Sequence, residues 1–158
     1  ASDVYKRQGP NVFSGYWEQP EKTAEEIRAD GFFITGDLGT QDADGRVAIV
    51  GRAKDLVISG GYNVYPKEVE RLLDELSDVV ESAVIGVPHD DFGEAVVAVL
   101  VAAKQMEVNE LNAALVDQLA RFKQPKAVVY VDELPRNTMG KVQKNVLRDQ
   151  HKGLFVSR

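Results

Sequence analysis

An α+β fold is predicted on three observations. Two apolar stripes recur at helical spacing, Val69, Leu72, Leu73 and Leu76 in one and Leu111, Leu115, Leu119 and Phe122 in the other. Two valine- and alanine-rich runs, 79–87 and 95–103, are bounded by Pro88 and Gly93 and read as adjacent buried strands. Helices and strands interleave without a regular βαβ repeat, which separates α+β from α/β.

Composition narrows the function classes. With 158 residues, 44% hydrophobic and 28% charged, the chain can bury one compact core with a small flanking piece. Nineteen basic against 25 acidic residues give a net charge of −6, and the basic residues are scattered. That leaves no electrostatic footprint for nucleic acid, so an anionic ligand must be met by local groups. The absence of cysteine removes disulfides, thiolate metal sites and cysteine nucleophiles together. Two histidines offer little basis for a metal site, and none is assigned; His89, with Asp90 and Asp91, reads as a surface turn between the valine-rich strands. No apolar run approaches the about 20 residues that cross a bilayer. A cytoplasmic location without a membrane partner is the expectation.

Along the chain, residues 1–8 stand apart. Asp3-Val4-Tyr5-Lys6-Arg7-Gln8 resembles the translation of a transposon-end sequencing adaptor, so this segment is set aside as non-native. The chain also begins mid-pattern at Gly9 without an initiator methionine, and a truncated sequence is expected. Residues 20–29 read as a short helix with Pro20 at its start and Gly31 beyond its end, followed by a strand over 32–35. Asp42-Ala43-Asp44-Gly45 turns the chain into a strand over 46–50; the calcium-loop alternative lacks its remaining ligands. A strand over 56–59, the Gly60-Gly61 pair and a helix from Pro66 come next. The valine-rich strands, the second apolar helix, a strand over 127–131, a polar loop and a short basic helix complete the chain.

Four motifs could carry chemistry, each weak alone. Gly140-Lys141 invites a phosphate-loop reading, but that loop needs glycine where Pro135 stands and Ser or Thr where Val142 stands. What remains is a lysine in a proline- and glycine-punctuated loop, able to bring an ammonium to an oxyanion or equally to sit exposed on a turn. Gly36-Asp37, at the end of its predicted strand, offers a carboxylate that could accept from two ribose hydroxyls or cap a turn. Gly51-Arg52-Ala53-Lys54-Asp55 is a charged connector, and Gly60-Gly61 suits either close approach of a thin ligand or a tight turn.

Their order and spacing carry more than any one of them. Thr35-Gly36-Asp37, Gly51-Arg52-x-x-Asp55, Gly60-Gly61-Tyr62-Asn63 and Pro135-x-x-x-x-Gly140-Lys141 together resemble the C-terminal motif series of the adenylate-forming enzymes. That superfamily holds acyl-CoA synthetases, peptide-synthetase adenylation domains and luciferases. The resemblance covers roughly residues 9–152. Segments 31–39, 63–68 and 134–144 are most similar to the malonyl-CoA synthetases. Ile34, where many members have arginine, and Ser59, where several have lysine, fit that branch.

The resemblance implies a fold and roles. Residues 9–52 would be the β-rich C-terminal end of a large AMP-binding domain, and 53–158 its small mobile lid. Asp37 would bind the ribose hydroxyls of ATP, with Arg52 assisting near ribose and phosphate. Lys141 would be catalytic, bridging the substrate carboxylate and the α-phosphate. Lys54, two residues after the motif arginine, would be the hinge on which the lid turns between half-reactions. Gly60 and Gly61 would line the passage for the pantetheine arm of CoA, and Phe122 and Lys126 would meet the CoA adenine and phosphates. Phe122 also reads as the last residue of an apolar helix stripe.

The phosphate-gripping loop, adenine pocket and acyl pocket of the family belong to the large domain upstream, required in cis, and Mg2+ would be bound mainly there. The expected substrates are ATP, CoA and a small malonate-like carboxylic acid, and the 158 residues alone should be inactive. The alternatives are a medium- or long-chain or aryl acyl-CoA ligase, a carrier-protein acceptor, or a non-catalytic nucleotide- or CoA-binding module.

Overall fold

The computed structural model describes residues 3–156. The chain divides into two compact units, Ala1–Lys54 and Asp55–Arg158.

The first unit is a three-stranded antiparallel sheet with one short helix. Strand β1 (Asp3–Arg7) pairs with β2 (Phe33–Gln41), which pairs with β3 (Val47–Arg52). Strand β1 lies within residues 1–8, which the sequence reading sets outside the fold, and nevertheless forms the edge of this sheet. Helix α1 (Pro20–Glu26) is shorter than the predicted 20–29, because Ile27 turns to extended backbone and bridges Phe33. Strand β2 runs well past the predicted 32–35 and pairs Asp37, Leu38 and Gly39 with β3, with a register shift at Leu38/Gly39. Between β2 and β3, the Asp42 carboxylate accepts from the amides of Asp44 and Arg46, so turn formation occupies the aspartate.

The second unit has two helical layers around a sheet. Strand β4 (Val57–Ser59) and β5 (Tyr62–Val64) form a hairpin; helix α2 (Pro66–Leu73) follows. Strands β6 (Val79–His89) and β7 (Gly93–Ala102) pair antiparallel, continuing through Pro88 where the sequence suggested a boundary. The turn between them is fixed by the Asp91 amide donating to His89 Nδ1 at 3.1 Å. Helix α3 (Val108–Leu115), strand β8 (Ala127–Tyr130) and helix α4 (Lys144–His151) complete the unit. Because β6 takes one edge of β7 along its length, β4 and β8 share the other, with β8 parallel to β7.

Alternation along β7 sends residues to two cores. Val96, Ala98 and Leu100 pack with Val69, Leu72 and Leu73 of α2 and Leu111 and Leu115 of α3. Ala95, Val97 and Val99 pack on the other side with Leu134 and Leu147 of α4. A hairpin covered on both faces must be apolar throughout, which explains the unbroken valine and alanine runs. The second apolar stripe is only partly helical. α3 ends at Leu115, Leu119 reaches the core from a turn, and Phe122 lies on a separate 3-10 turn, Arg121–Lys123, with its ring partly exposed. Phe122 therefore does not complete a helix stripe. No helix among the described residues is long and apolar enough to cross a membrane.

Candidate functional site

The predicted residues fall into three groups. In the first unit, Asp37 and Arg52 sit opposite each other in the β2–β3 ladder. Arg52 Nε lies 3.1 Å from Asp37 Oδ1, and an Nη of the same guanidinium donates to the Thr35 carbonyl at 2.8 Å. Thr35 Oγ1 accepts from the Asp37 amide at 3.1 Å and donates to the Tyr5 carbonyl at 2.8 Å. Gly36, between them, has φ +70°, a conformation L side chains rarely adopt. The Asp37 carboxylate opens onto a concavity of about 510 Å3 that includes Thr35, Tyr16, Glu26, Ile49 and Arg52. There the Tyr16 hydroxyl donates to Glu26, and that bond, helped by desolvation and the carboxylate charge, holds the phenol above the usual tyrosine range.

The glycine pair is the turn of the β4–β5 hairpin. Gly60 and Gly61 have φ +57° and +81°, the double positive φ of a two-residue primed turn, which accounts for both glycines. A Cβ on Gly61 would meet nothing within 4 Å, so its outer face is open. Ser59, Gly60, Tyr62, Phe92, Arg121, Phe122 and Lys126 line a concavity of about 530 Å3. The Tyr62 and Phe122 rings lie 4.7 Å apart, and Lys126 Nζ sits 5.1 Å above the Phe92 ring. Exposed rings beside cationic ends can receive a planar base and its phosphates.

Lys141 stands elsewhere in the second unit. Its loop is a small hairpin in which Arg136 bridges Val142 and the Asn137 amide donates to the Lys141 carbonyl at 2.9 Å. The Asn137 side-chain oxygen accepts from the amides of Met139 and Lys141, at 3.0 and 2.9 Å, and Gly140 takes φ +76°. The backbone beneath the lysine is thus fixed, while its ammonium has no ion-pair partner among the described residues. Arg136 anchors the loop by donating to the Gly140 carbonyl and pairing with Glu81, near the start of β6. The glycine turn is instead tied to the far end of that hairpin, since Ser59 pairs with Gly93 and Gly93 with His89. At about 3.3 Å per residue, the eight steps from Glu81 to His89 span about 26 Å. The lysine loop and the glycine turn therefore lie at opposite ends of one sheet.

Residues 68–141 match the family model described as the AMP-binding enzyme C-terminal domain. The chain carries that domain. Over 146 residues it is 51% identical to a 3-[(3aS,4S,7aS)-7a-methyl-1,5-dioxo-octahydro-1H-inden-4-yl]propanoyl:CoA ligase of Rhodococcus jostii, matching 91% of this chain and 28% of that protein. An indoleacetate–CoA ligase of Aromatoleum aromaticum is 44% identical over 89% of this chain and 28% of its own length. Among solved structures, ATP-bound MatB from Rhodopseudomonas palustris is 57% identical, with a TM-score of 0.87, over 98% of this chain and 31% of that one. The chain thus spans under a third of the relatives it matches, and they include acyl-CoA ligases.

Two ion pairs of the C-terminal domain had no counterpart in the sequence reading. Asp55, first residue of the second unit, pairs with Arg148 of α4 at 3.1 Å. Buried Glu70 of α2 pairs with Lys144 at 2.5 Å and accepts from the Val84 amide at 2.9 Å, tying α2, β6 and α4 together beside the Lys141 loop. A glutamate within an apolar helix face was the one available signal. Lys54 is exposed at the boundary between the units, in the 3-10 turn Ala53–Asp55.

Proposed function

We propose that this chain is the C-terminal part of an ATP-dependent acid–CoA ligase. A carboxylate attacks the α-phosphate of ATP, giving an acyl-adenylate and pyrophosphate; the thiol of CoA then displaces AMP and forms the thioester. The observation carrying this reading is the separation of Lys141 from Gly60 and Gly61 by the length of the small sheet. One unit bearing two sets of groups at opposite ends suits two half-reactions served in turn, with Lys54 at the hinge.

In the first half-reaction Asp37 accepts from the ribose hydroxyls, and Arg52 orients that carboxylate and adds positive charge near the phosphate. Lys141, on its pinned hairpin, bridges the attacking carboxylate and the α-phosphate, offsetting charge as the phosphorane forms. In the second, the bare turn of Gly60 and Gly61 admits the pantetheine arm, while Phe122 and Lys126 receive the adenine and phosphates of CoA. Mg2+ would be bound mainly by the upstream domain together with the phosphates of ATP.

Residues 9–52 are proposed to be the end of a large upstream domain. Leu38 is the only buried hydrophobic residue of the first unit among those described, against a two-sided core in the second. A sheet with one buried apolar side chain fits a fragment of a larger body. The 158 residues alone are then inactive, lacking the floor of the site.

Malonate or methylmalonate is the proposed acid, on the motif resemblance of segments 31–39, 63–68 and 134–144 and the 57% identity to MatB. A bulkier cyclic or aryl acid is the second reading, favoured by the names of the R. jostii and A. aromaticum relatives. The parent enzyme, given ATP, Mg2+, CoA and each acid separately, distinguishes them by mass detection of the thioester. Malonyl thioester as the preferred product supports the first reading; preference for an aryl or polycyclic acid replaces it with the second. No thioester from any acid refutes the ligase proposal.

A further inference from the structure

The β4–β5 hairpin is attached to the sheet by few bonds. Strand β5 pairs with β4, and β4 meets β7 through the single pair Ser59↔Gly93. On one side of that pair the Gly60 amide donates to the Phe92 carbonyl at 2.9 Å. On the other, where continued pairing would set Ile58 opposite Glu94, the Ile58 amide donates to Glu94 Oε2 at 2.7 Å. A side-chain carboxylate has replaced the backbone acceptor of a regular ladder.

The sequence makes room for it. A Cβ on Gly86 would stand 2.8 Å from Glu94 Oε1 and 2.9 Å from Val57 Cγ1, so glycine at this buried β6 position leaves the notch that the carboxylate and β4 fill. Glu94 has no ion-pair partner among the described residues, and its carboxylate is bonded to backbone.

We propose that Glu94 is a positioning residue for the thioester-forming step, holding the Gly60–Gly61 turn in place through its bond to the Ile58 amide. The inference rests on the CoA-ligating reading above and adds to it a residue outside the motif series. Phe92, two residues before Glu94, lies under Lys126 and beside Gly60, where a Cβ would be 3.5 Å from its ring. Loosening β4 therefore reshapes the concavity of Gly60, Tyr62, Phe92, Phe122 and Lys126. The Lys141 loop, anchored at the other end of β6, is left untouched.

The test uses the parent enzyme with Glu94→Ala and Glu94→Gln, the glutamine keeping a carbonyl acceptor for Ile58. Removing a charge-assisted bond to a backbone amide should lower kcat/KM for CoA, measured from supplied acyl-adenylate, by about tenfold in Glu94→Ala. Pyrophosphate release in the first half-reaction should stay near that of the unsubstituted enzyme, and Glu94→Gln should recover most of the CoA efficiency. Unchanged CoA kinetics in Glu94→Ala, or equal loss of both half-reactions, overturns the assignment. If the unsubstituted enzyme forms no thioester, the ligase reading fails instead. Amide exchange in the 158-residue chain then tests the contact itself: Ile58 should exchange about tenfold faster in Glu94→Ala than in the other two forms. Equal rates in all three overturn it.

Discussion

Asp55 and Arg148 form an ion pair at 3.1 Å, joining the first residue of the second unit to the helix that follows the Lys141 loop. Both side chains are less than a third exposed, so the pair is screened less than a surface bridge. It ties the entry of the unit to α4, and through α4 to the loop before it.

Breaking that pair should be felt in stability. Asp55→Ala and Arg148→Ala should each destabilise the second unit by about 1 to 2 kcal/mol in urea unfolding, and the double variant should cost less than the sum. Additive effects would mean that the pair contributes no coupling.

Glu70→Ala is expected to cost more, about 3 kcal/mol, because it strands the largely buried Lys144 ammonium and the Val84 amide. Lys67→Ala removes a solvent-exposed partner 3.8 Å away and should shift the urea midpoint little. Similar shifts for the two variants would contradict the buried character of the Glu70 pair.

At Gly61 backbone strain acts alone, since a Cβ meets no atom within 4 Å yet φ is +81°. Gly61→Ala should lose about 1 to 2 kcal/mol, whereas Gly51→Ala, equally uncrowded and without positive φ, should be close to neutral. Equal effects in thermal unfolding would argue against the primed turn.

Regular elements were legible where one period ruled. Val69, Leu72 and Leu73 of the first stripe lie on α2 and the two valine-rich strands formed as their spacing indicates, whereas Leu76, the fourth residue of that stripe, packs on the core from beyond the helix end at Leu73. The second stripe misled because Leu119 and Phe122 continue helical spacing after the backbone has left the helix; Leu119 reaches the core from a turn. Strand β5 is not legible in the sequence because three residues after a glycine pair carry almost no period, although the Gly-Gly turn itself demands a partner strand. The full length of strand β2 is not legible because Gly36 and Gly39 are poor strand formers, yet Asp37 to Gln41, Gly39 included, pair with β3. Of the site, Asp37 with Arg52, and Gly60 with Phe122 and Lys126, were brought together by the fold. Asp55 and Arg148, 93 positions apart, leave no local signal.

The isolated chain should make no thioester from malonate, ATP, Mg2+ and CoA, because its lysine has no bound phosphate to act on. Product formation above a protein-free control, followed by chromatography with mass detection, would contradict this.

The most direct measurement is to separate the half-reactions in the parent enzyme carrying Lys141→Ala. Loss of one positioned charge at a developing oxyanion lowers rate by about 10²- to 10³-fold, so pyrophosphate release should fall at least that far. Thioester formation from supplied acyl-adenylate and CoA should persist near the unsubstituted rate, since the glycine turn lies at the other end of the sheet. Equal loss in both half-reactions, or adenylation that survives the substitution, would contradict the account.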